Sequence, residues 1–447
     1  MHVLYSNIKR KNLRVNVDMS ENNILEVLFV SDTNDHQVTC SAWDYRTGTN
    51  LMNYKGGGSG AGSRTLCLYH SQYVLAANIS KPLLHVWPIN AQEQLTAVRF
   101  VVPGTVTALA LSPDDCYLVA GIQEVIYIWH KATGRMKSIL TKHYQTVNCI
   151  RFTDDSSHFA SGGKDGAVLV WNLTRAVSRS LDNENTQPLY SFNDHGLPVT
   201  DIHIGAGGMR SYMYTVSLDR SSKIYDLSDG SLLLNVVFDE GLQSLAVNGL
   251  ETQVFVGSNA GSIFQVHTDS IPRVKEYHKE EQNKAFSGHA ATSVVNCLAL
   301  SLDGQTLVSG ASDGQILVWN IPSRQLLKTL AHKGGITNLC LKLMDTMIFN
   351  PEHKQPLEFR ANLKRMMDPV EADEDEVIEI LVTGNNLEND ESRFISDAKN
   401  SSSKVYDSSC STNQNELESL RKEVRHLHFV NKKLFEISAN QLLRNHK

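Results

Sequence analysis

The stretch VNCLALSLDGQTLVSGASDGQILVWNIPSRQLLKTLAH, residues 295–332, decides the fold. It separates into VNCLALS, TLVSGAS, GQILVWNI and LLKTLAH, and in each piece apolar residues alternate between flanking turn residues, the pattern of a half-buried strand. Asp313-Gly314 joins the second strand to the third, a dipeptide that tolerates the positive φ of a tight hairpin. Trp319 closes the third strand.

Outward from Trp319 the same mark recurs. Trp43, Trp87, Trp129 and Trp171 are 44, 42 and 42 residues apart, and Trp319 lies 148 beyond the last. Tyr225, in SLDRSSKIYD, and Val266, at the end of SNAGSIFQV, divide that gap into steps of 54, 41 and 53. Seven marks with short strands between them imply an all-β, seven-bladed β-propeller with four strands per blade.

A second pattern fixes the register. Counting back from the aromatic, a hydroxyl lies at minus 10 and an aspartate at minus 6 in three repeats: Ser161, Asp165 and Trp171; Thr215, Asp219 and Tyr225; Ser309, Asp313 and Trp319. His143, His195 and His289 lie 28 to 30 residues before those aromatics, and Gly288-His289 is the glycine-histidine opening of a WD repeat. On these residues the chain resembles the WD-repeat proteins. A Ser/His/Asp set also invites a nucleophile reading. Three copies on one period point instead to a repeated support, in which buried polar side chains bond one another. The repeats at Trp43, Trp87 and Trp129 carry Gln37, Lys81 and Gln123 at minus 6, so those blades are expected to be held by packing alone.

Composition removes several functional classes. No apolar run approaches the length that crosses a bilayer, and MHVLYSNIKRKNLRV lacks the apolar stretch of a secretory signal. Seven cysteines without a CxxC pair fit a reducing compartment, with Cys149 and Cys297 packing in first strands. The 17 histidines show no HExxH and no ligand spacing, so neither metal nor other cofactor is expected. Gly56 to Gly62 precede no GK[ST] and no helix, which favours a flexible connection between the first two blades over a phosphate cradle. A net charge of −6 gives no basic footprint, so direct sequence-specific nucleic-acid binding is not expected.

Four regions follow. Residues 1–20 form an N-terminal extension, with Lys9, Arg10, Lys11 and Arg14 a short basic cluster. Residues 21–349 form the propeller. Only ILEVLFVSD precedes the third strand at Trp43, so Ile336 to Met344 is expected to supply the missing inner strand and close the ring; Leu13 to Met19 is the competitor. Insertions after the third strands of the fourth and sixth blades, TRAVSRSLDNENTQP and TDSIPRVKEYHKEEQNK, and the long turn GAGGMRSY in the fifth, should emerge on one face. That face, with Arg175, Arg179, Arg210, Lys275 and Lys279, is either a docking surface or a site of tolerated insertion. Residues 350–415 read as an acidic and Ser/Asn-rich disordered linker. Residues 416–445 read as a coiled-coil-like helix with Leu417, Leu420, Val424, Leu427, Asn431 and Leu434 on a/d spacing, suited to self-association, a partner helix or packing back on the domain.

The stretch HYQTVNCIRFTDDSSHFASGGKDGAVLVW (143–171), then SLLLNVVFDEGLQSLAV, GSIFQVH and the terminal NKKLFEIS, resembles the WD repeat-containing protein eighteen family over nearly the whole chain. The resemblance implies a non-enzymatic scaffold of a nuclear complex, in nucleolus and nucleoplasm, that matures the large ribosomal subunit precursor and removes its internal transcribed spacer. The partners it implies are a helical-repeat scaffold of the PELP type, a TEX-type subunit, and the pre-60S particle with its giant AAA ATPase, with a homodimer through the C-terminal helix. The N-terminal extension and the weak tetrads of the first three blades depart from the family pattern. A substrate receptor of a ubiquitin ligase is the alternative class, and an enzymatic propeller would need convergent acidic or metal-binding groups at the channel.

Overall fold

Each repeat folds into one antiparallel sheet. A computed structural model describes residues 24–33, 38–95, 98, 100–178, 187–268, 275–278, 284–350 and 363–366, and these form seven sheets. In order from the channel outward, the first blade is Ile336–Asp345, Ile24–Asp32, Val38–Asp44 and Thr49–Lys55. The second is Cys67–Tyr69, Tyr73–Ala77, Leu83–Pro88 and Phe100–Val101; the third is Ala108–Leu111, Tyr117–Ile122, Val125–His130 and Arg135–Leu140. Val147–Phe152, His158–Gly163, Val168–Asn172 and Tyr190–Phe192 make the fourth. The fifth is Val199–Ile204, Tyr212–Ser217, Ser221–Asp226 and Leu232–Val237; the sixth is Leu242–Val247, Gln253–Ser258, Ser262–His267 and Lys284–Ser287. The stretch that decided the fold is the seventh: Val295–Leu300, Thr306–Ala311, Gln315–Asn320 and Gln325–Ala331.

Apolar side chains on both faces of each sheet pack against the neighbouring blades. Val119, Ile126 and Leu140 of the third blade meet Ile150, Phe159 and Trp171 of the fourth, and a cluster of this kind straddles every junction, including Val308, Val318 and Leu330 of the seventh with Leu28 and Val30 of the first. Such contact on both sides is why the middle strands, such as HFASGG at His158–Gly163, are buried throughout. Some approaches admit only glycine: a Cβ on Gly310 would lie 2.7 Å from Ile336 Cγ2, and one on Gly257 would lie 2.8 Å from Val295 Cγ1.

The innermost strands are also stitched by polar side chains. Thr107 Oγ1 donates to Val147 O at 2.6 Å, Asn148 Nδ2 to Val199 O at 2.8 Å, Thr200 Oγ1 to Leu242 O at 3.0 Å and Ser244 Oγ to Val295 O at 2.8 Å. Asn296 Nδ2 continues to Ile336 O at 2.8 Å and Asn338 Nδ2 to Gly62 O at 2.7 Å. Each bond runs from one blade to the next, so the series passes through the junction where the chain ends meet. There Ile336–Asp345 pairs antiparallel with Ile24–Asp32, from Ile24 opposite Asp345 to Asp32 opposite Ile336. Leu13 to Met19 lies outside the described residues.

Three expectations need correction. The glycine-rich connection is fixed, not flexible: Ala61 N donates to Asp32 O, Gly62 N to Ala77 O, and Asn78 Nδ2 to Gly57 O, while a Cβ on Gly60 would strike the Asp32 carbonyl. It ends at Arg64, whose guanidinium crosses to Asp201 Oδ1 of the fifth blade at 3.2 Å and to Gln243 O on the innermost strand of the sixth at 2.7 Å. The segment 350–415 is not all solvated linker, because Leu363 is buried against the second and third blades and Lys364 N donates to Gly134 O. The fifth blade has a fifth strand: Glu276–His278, from the sixth blade's insertion, pairs parallel with Leu232–Val237. That part of the insertion covers a sheet edge instead of thickening a face.

Candidate functional site

Where the repeat is complete, a hydrogen-bonded tetrad joins turn, second strand and third strand. In the fourth blade His143 Nδ1 lies 3.1 Å from Asp165 Oδ2, His143 Nε2 is 2.8 Å from Ser161 Oγ, and Trp171 Nε1 donates to that oxygen at 3.0 Å. With Nδ1–H held by the carboxylate, Nε2 accepts the serine proton and leaves the serine oxygen to receive the indole. Asp165 also accepts from Tyr144 N and Ala167 N. Burial pushes its carboxyl up, but the bonds from His143 and these amides outweigh burial and hold it below the ordinary range.

The fifth and seventh blades vary the scheme. His195 joins Asp219 Oδ2 at 2.9 Å and Thr215 Oγ1 at 2.8 Å, but Tyr225 bypasses the threonine and donates to Asp194 Oδ2 at 3.0 Å. A phenol carries its hydroxyl beyond the place an indole N–H occupies. Burial opposes ionisation of Asp219, yet its bonds from His195 and Ser221 hold it far below the usual carboxylate range. In the seventh blade His289 Nε2 meets Ser309 Oγ at 2.9 Å and Trp319 Nε1 donates to it at 3.0 Å, while Asp313 stands 3.5 Å from His289 Nδ1 without a hydrogen bond.

The remaining tryptophans are not held by packing alone, as a buried indole N–H needs an acceptor. Trp87 Nε1 donates to Lys55 O at 2.6 Å and Trp129 Nε1 to Lys364 O at 2.8 Å, both from outside their own blades; Trp43 Nε1 donates to Ser41 Oγ at 2.8 Å. Register explains the change. The tetrad hydroxyl sits two residues past the residue opposite the aromatic, and in these blades that position is Ala76, Ala120 or Val30. Two functional positions of the first blade escaped the sequence reading, His332 and Asp32, because its histidine stands at the far end of the chain. The signal was there: AHKGGITN repeats the order of GHAATSVVN around His289.

The basic docking candidates are dispersed over separate elements. Arg175 is exposed on the helix Leu173–Val177, whose Leu173 and Ala176 are buried. Arg210 is exposed on the turn Gly208–Arg210, fixed by Gly207 N and Gly208 N donating to Asp154 at 2.9 and 2.7 Å. Lys275 is exposed and its carbonyl accepts from Asn235 N at 2.8 Å. Arg179, Lys279 and the helix positions Leu417, Leu420, Val424, Leu427, Asn431 and Leu434 lie outside the described residues.

The family described as WD domain, G-beta repeat, matches residues 134–172 and 280–320, the segments that end in the Trp171 and Trp319 tetrads. WD repeat-containing protein 18 of Danio rerio is 39% identical over 321 residues, 71% of this chain and 73% of that one. The chain belongs to the WD repeat-containing protein 18 family. The Homo sapiens protein of that name is 36% identical over 353 residues, covering 78% of this chain and 80% of its own. A more distant relative, Pre-rRNA-processing protein pro-1 of Caenorhabditis elegans, is 27% identical over 359 residues, 78% of this chain and 66% of its own. Members of the WD repeat-containing protein 18 family thus share most of the propeller with this chain, beyond the two repeats that the general WD pattern detects.

Proposed function

We propose that this chain is a non-catalytic scaffold in ribosomal RNA processing, a propeller subunit of a nuclear complex that matures the large ribosomal subunit precursor. Family membership carries the reading, and the naming of the nematode relative for pre-rRNA processing supports it. The tetrad geometry agrees. Ser161, Thr215 and Ser309 are fully buried and already bonded to histidine, so their hydroxyls support blades and do not face substrate. In this reading the blades bind a helical-repeat scaffold of the PELP type and the pre-60S particle with its AAA ATPase, and the C-terminal helix pairs two copies, raising avidity through effective concentration.

Purification of the tagged full chain, with identification of bound proteins and RNA, tests it. Large-subunit precursors and unprocessed spacer RNA are expected to co-purify, and depletion should lengthen the lifetime of that RNA. Recovery of a cullin adaptor without ribosomal precursors would replace this function with that of a ubiquitin-ligase receptor.

A further inference from the structure

The outer edges of the blades differ in how the chain guards them. An open edge strand is a template for further pairing, and folded proteins keep such strands short, cover them or place charges on them. The second, fourth and sixth blades end in strands of two, three and four residues, and the helix Leu173–Val177 packs on the outer strand of the third. In the first blade Lys55 bridges Glu93, and in the fifth Glu276–His278 lies parallel along Leu232–Val237. The outer strand of the seventh, Gln325–Ala331, shows no such guard. It is seven residues long, contains no proline, and its one charge is engaged by the first blade, Lys328 Nζ donating to Arg46 O at 2.7 Å. Leu326 and Leu327 on it are 45% and 54% exposed, and among the described residues no backbone group from outside the blade bonds its outer edge.

The fifth blade shows what fits such an edge, because its third and fourth strands share the seventh's register pair by pair. Tyr225 opposite Leu232, Lys223 opposite Asn235 and Ser221 opposite Val237 correspond to Trp319 opposite Leu326, Leu317 opposite Thr329 and Gln315 opposite Ala331, with the register shift beside the aromatic in both. Phe238 N donates to Arg220 O as His332 N does to Gly314 O. Asn235 N points away from its own sheet and donates to Lys275 O at 2.8 Å, so Thr329 N, in the same place, also points outward. Tyr277 of the added strand stands opposite Val236 and packs on the cluster between the fifth and sixth blades; the counterpart of Val236 is Leu330, in the cluster between the seventh and first. A strand laid parallel to Gln325–Ala331 therefore meets an outward amide, an apolar neighbour and, toward its start, two exposed leucines.

We propose that the outer edge of the seventh blade binds an extended segment of a protein partner as a fifth strand, parallel to Gln325–Ala331. Its main chain pairs with Thr329, an aromatic or aliphatic side chain stands opposite Leu330, and an apolar side chain nearer the segment's start covers Leu326 and Leu327. The proposal does not depend on which assembly the propeller joins.

Amide hydrogen exchange of the full chain reads the edge. The probe is the acetylated and amidated peptide RVKEYHK, residues 273–279, which carries the added strand of the fifth blade. Without it, Thr329 and Ala331 are expected to exchange rapidly; titration to about 2 mM, enough for a Kd of about 0.2 mM, should slow them about tenfold. The same peptide N-methylated at its tyrosine lacks the N–H that pairs with Thr329 O and should leave exchange unchanged. Thr329→Pro removes an outward N–H and no bond within the sheet, so the chain should fold and the protection should vanish. Leu327→Lys guards the edge with a charge, leaves the main chain as it is, and should cut the protection at least about threefold, which keeps the test open should the proline variant misfold. Amides already protected in the free chain overturn the proposal, as do exchange unmoved by the peptide, equal slowing by its N-methylated form, or full protection in Leu327→Lys. A light-scattering mass that halves in Thr329→Pro would give the edge to a second copy of the chain and overturn it as well.

Discussion

Ser161→Ala is the sharpest test of the view that the tetrads are supports. The serine is fully buried, accepts the Trp171 indole at 3.0 Å and bonds His143 Nε2 at 2.8 Å, so the substitution strands two polar groups in the interior. A buried group left unpaired costs about 1–3 kcal/mol, so two should cost about 2–4 kcal/mol once the His143–Asp165 pair relaxes. For a domain of this size that is a fall in melting temperature of about 3–6 °C. Urea unfolding followed by tryptophan fluorescence and circular dichroism gives the free energy, and an unchanged m-value assigns it to the native state. His143→Phe and the double substitution complete a cycle, with a coupling expected above about 1 kcal/mol because both side chains share one network. A control comes from the second blade, where Ala76→Ser should recover little, since Trp87 already donates to Lys55 O. A loss for Ser161→Ala below about 0.5 kcal/mol, or strict additivity in the cycle, would refute the support role.

The remaining predictions concern closure, the strap and acid. Gly310→Ala forces a Cβ to within 2.7 Å of Ile336 Cγ2 on the closing strand and should cost about 1–3 kcal/mol, read as faster proteolysis of the full chain; wild-type resistance would mean that the junction yields freely. Leu363→Asp puts a charge into the cluster between the second and third blades and should detach Lys364 from Trp129, seen as a shift in indole fluorescence and about 2 kcal/mol lost; an unchanged spectrum counts against docking of this strap. Burial, reinforced by the Arg151 guanidinium, pulls His203 down to about 4, so the unfolded chain takes that proton first. The stability it contributes is complete above about pH 6.5 and is lost as pH falls toward 4, and His203→Gln should flatten that part of the pH–stability curve.

How far the fold was legible depends on what was being counted. The tryptophan spacing, with Tyr225 and Val266 dividing its long gap, was enough for seven blades, since each mark lies near the end of a third strand. Offsets from the aromatic worked where the hairpin between second and third strands is short, as at Asp165-Gly166 and Asp313-Gly314. In the first blade the strands Ile24–Asp32 and Val38–Asp44 are joined by a longer turn, so minus 10 falls on Thr33 while the register position is Val30. Linear counting follows the chain; hydrogen-bond register follows the sheet, and the two part wherever a turn changes length.

The same distinction explains what was missed at the site. In the second and third blades the acceptor that replaces a tetrad serine comes from another segment: Lys55 O for Trp87 and Lys364 O, 235 residues away, for Trp129. These are backbone carbonyls, which any residue supplies, so composition and motif carry no trace of them. What the sequence does carry is the demand. A tryptophan at a buried third-strand position brings an N–H that has to be satisfied, and an alanine or valine in the hydroxyl position means that the partner must arrive from elsewhere. In the second and third blades it arrives from the chain itself, as a neighbouring strand end and a strap. In the first blade the tryptophan is satisfied by Ser41, two residues back on its own strand, while His332 Nε2 stays buried without a hydrogen-bond partner.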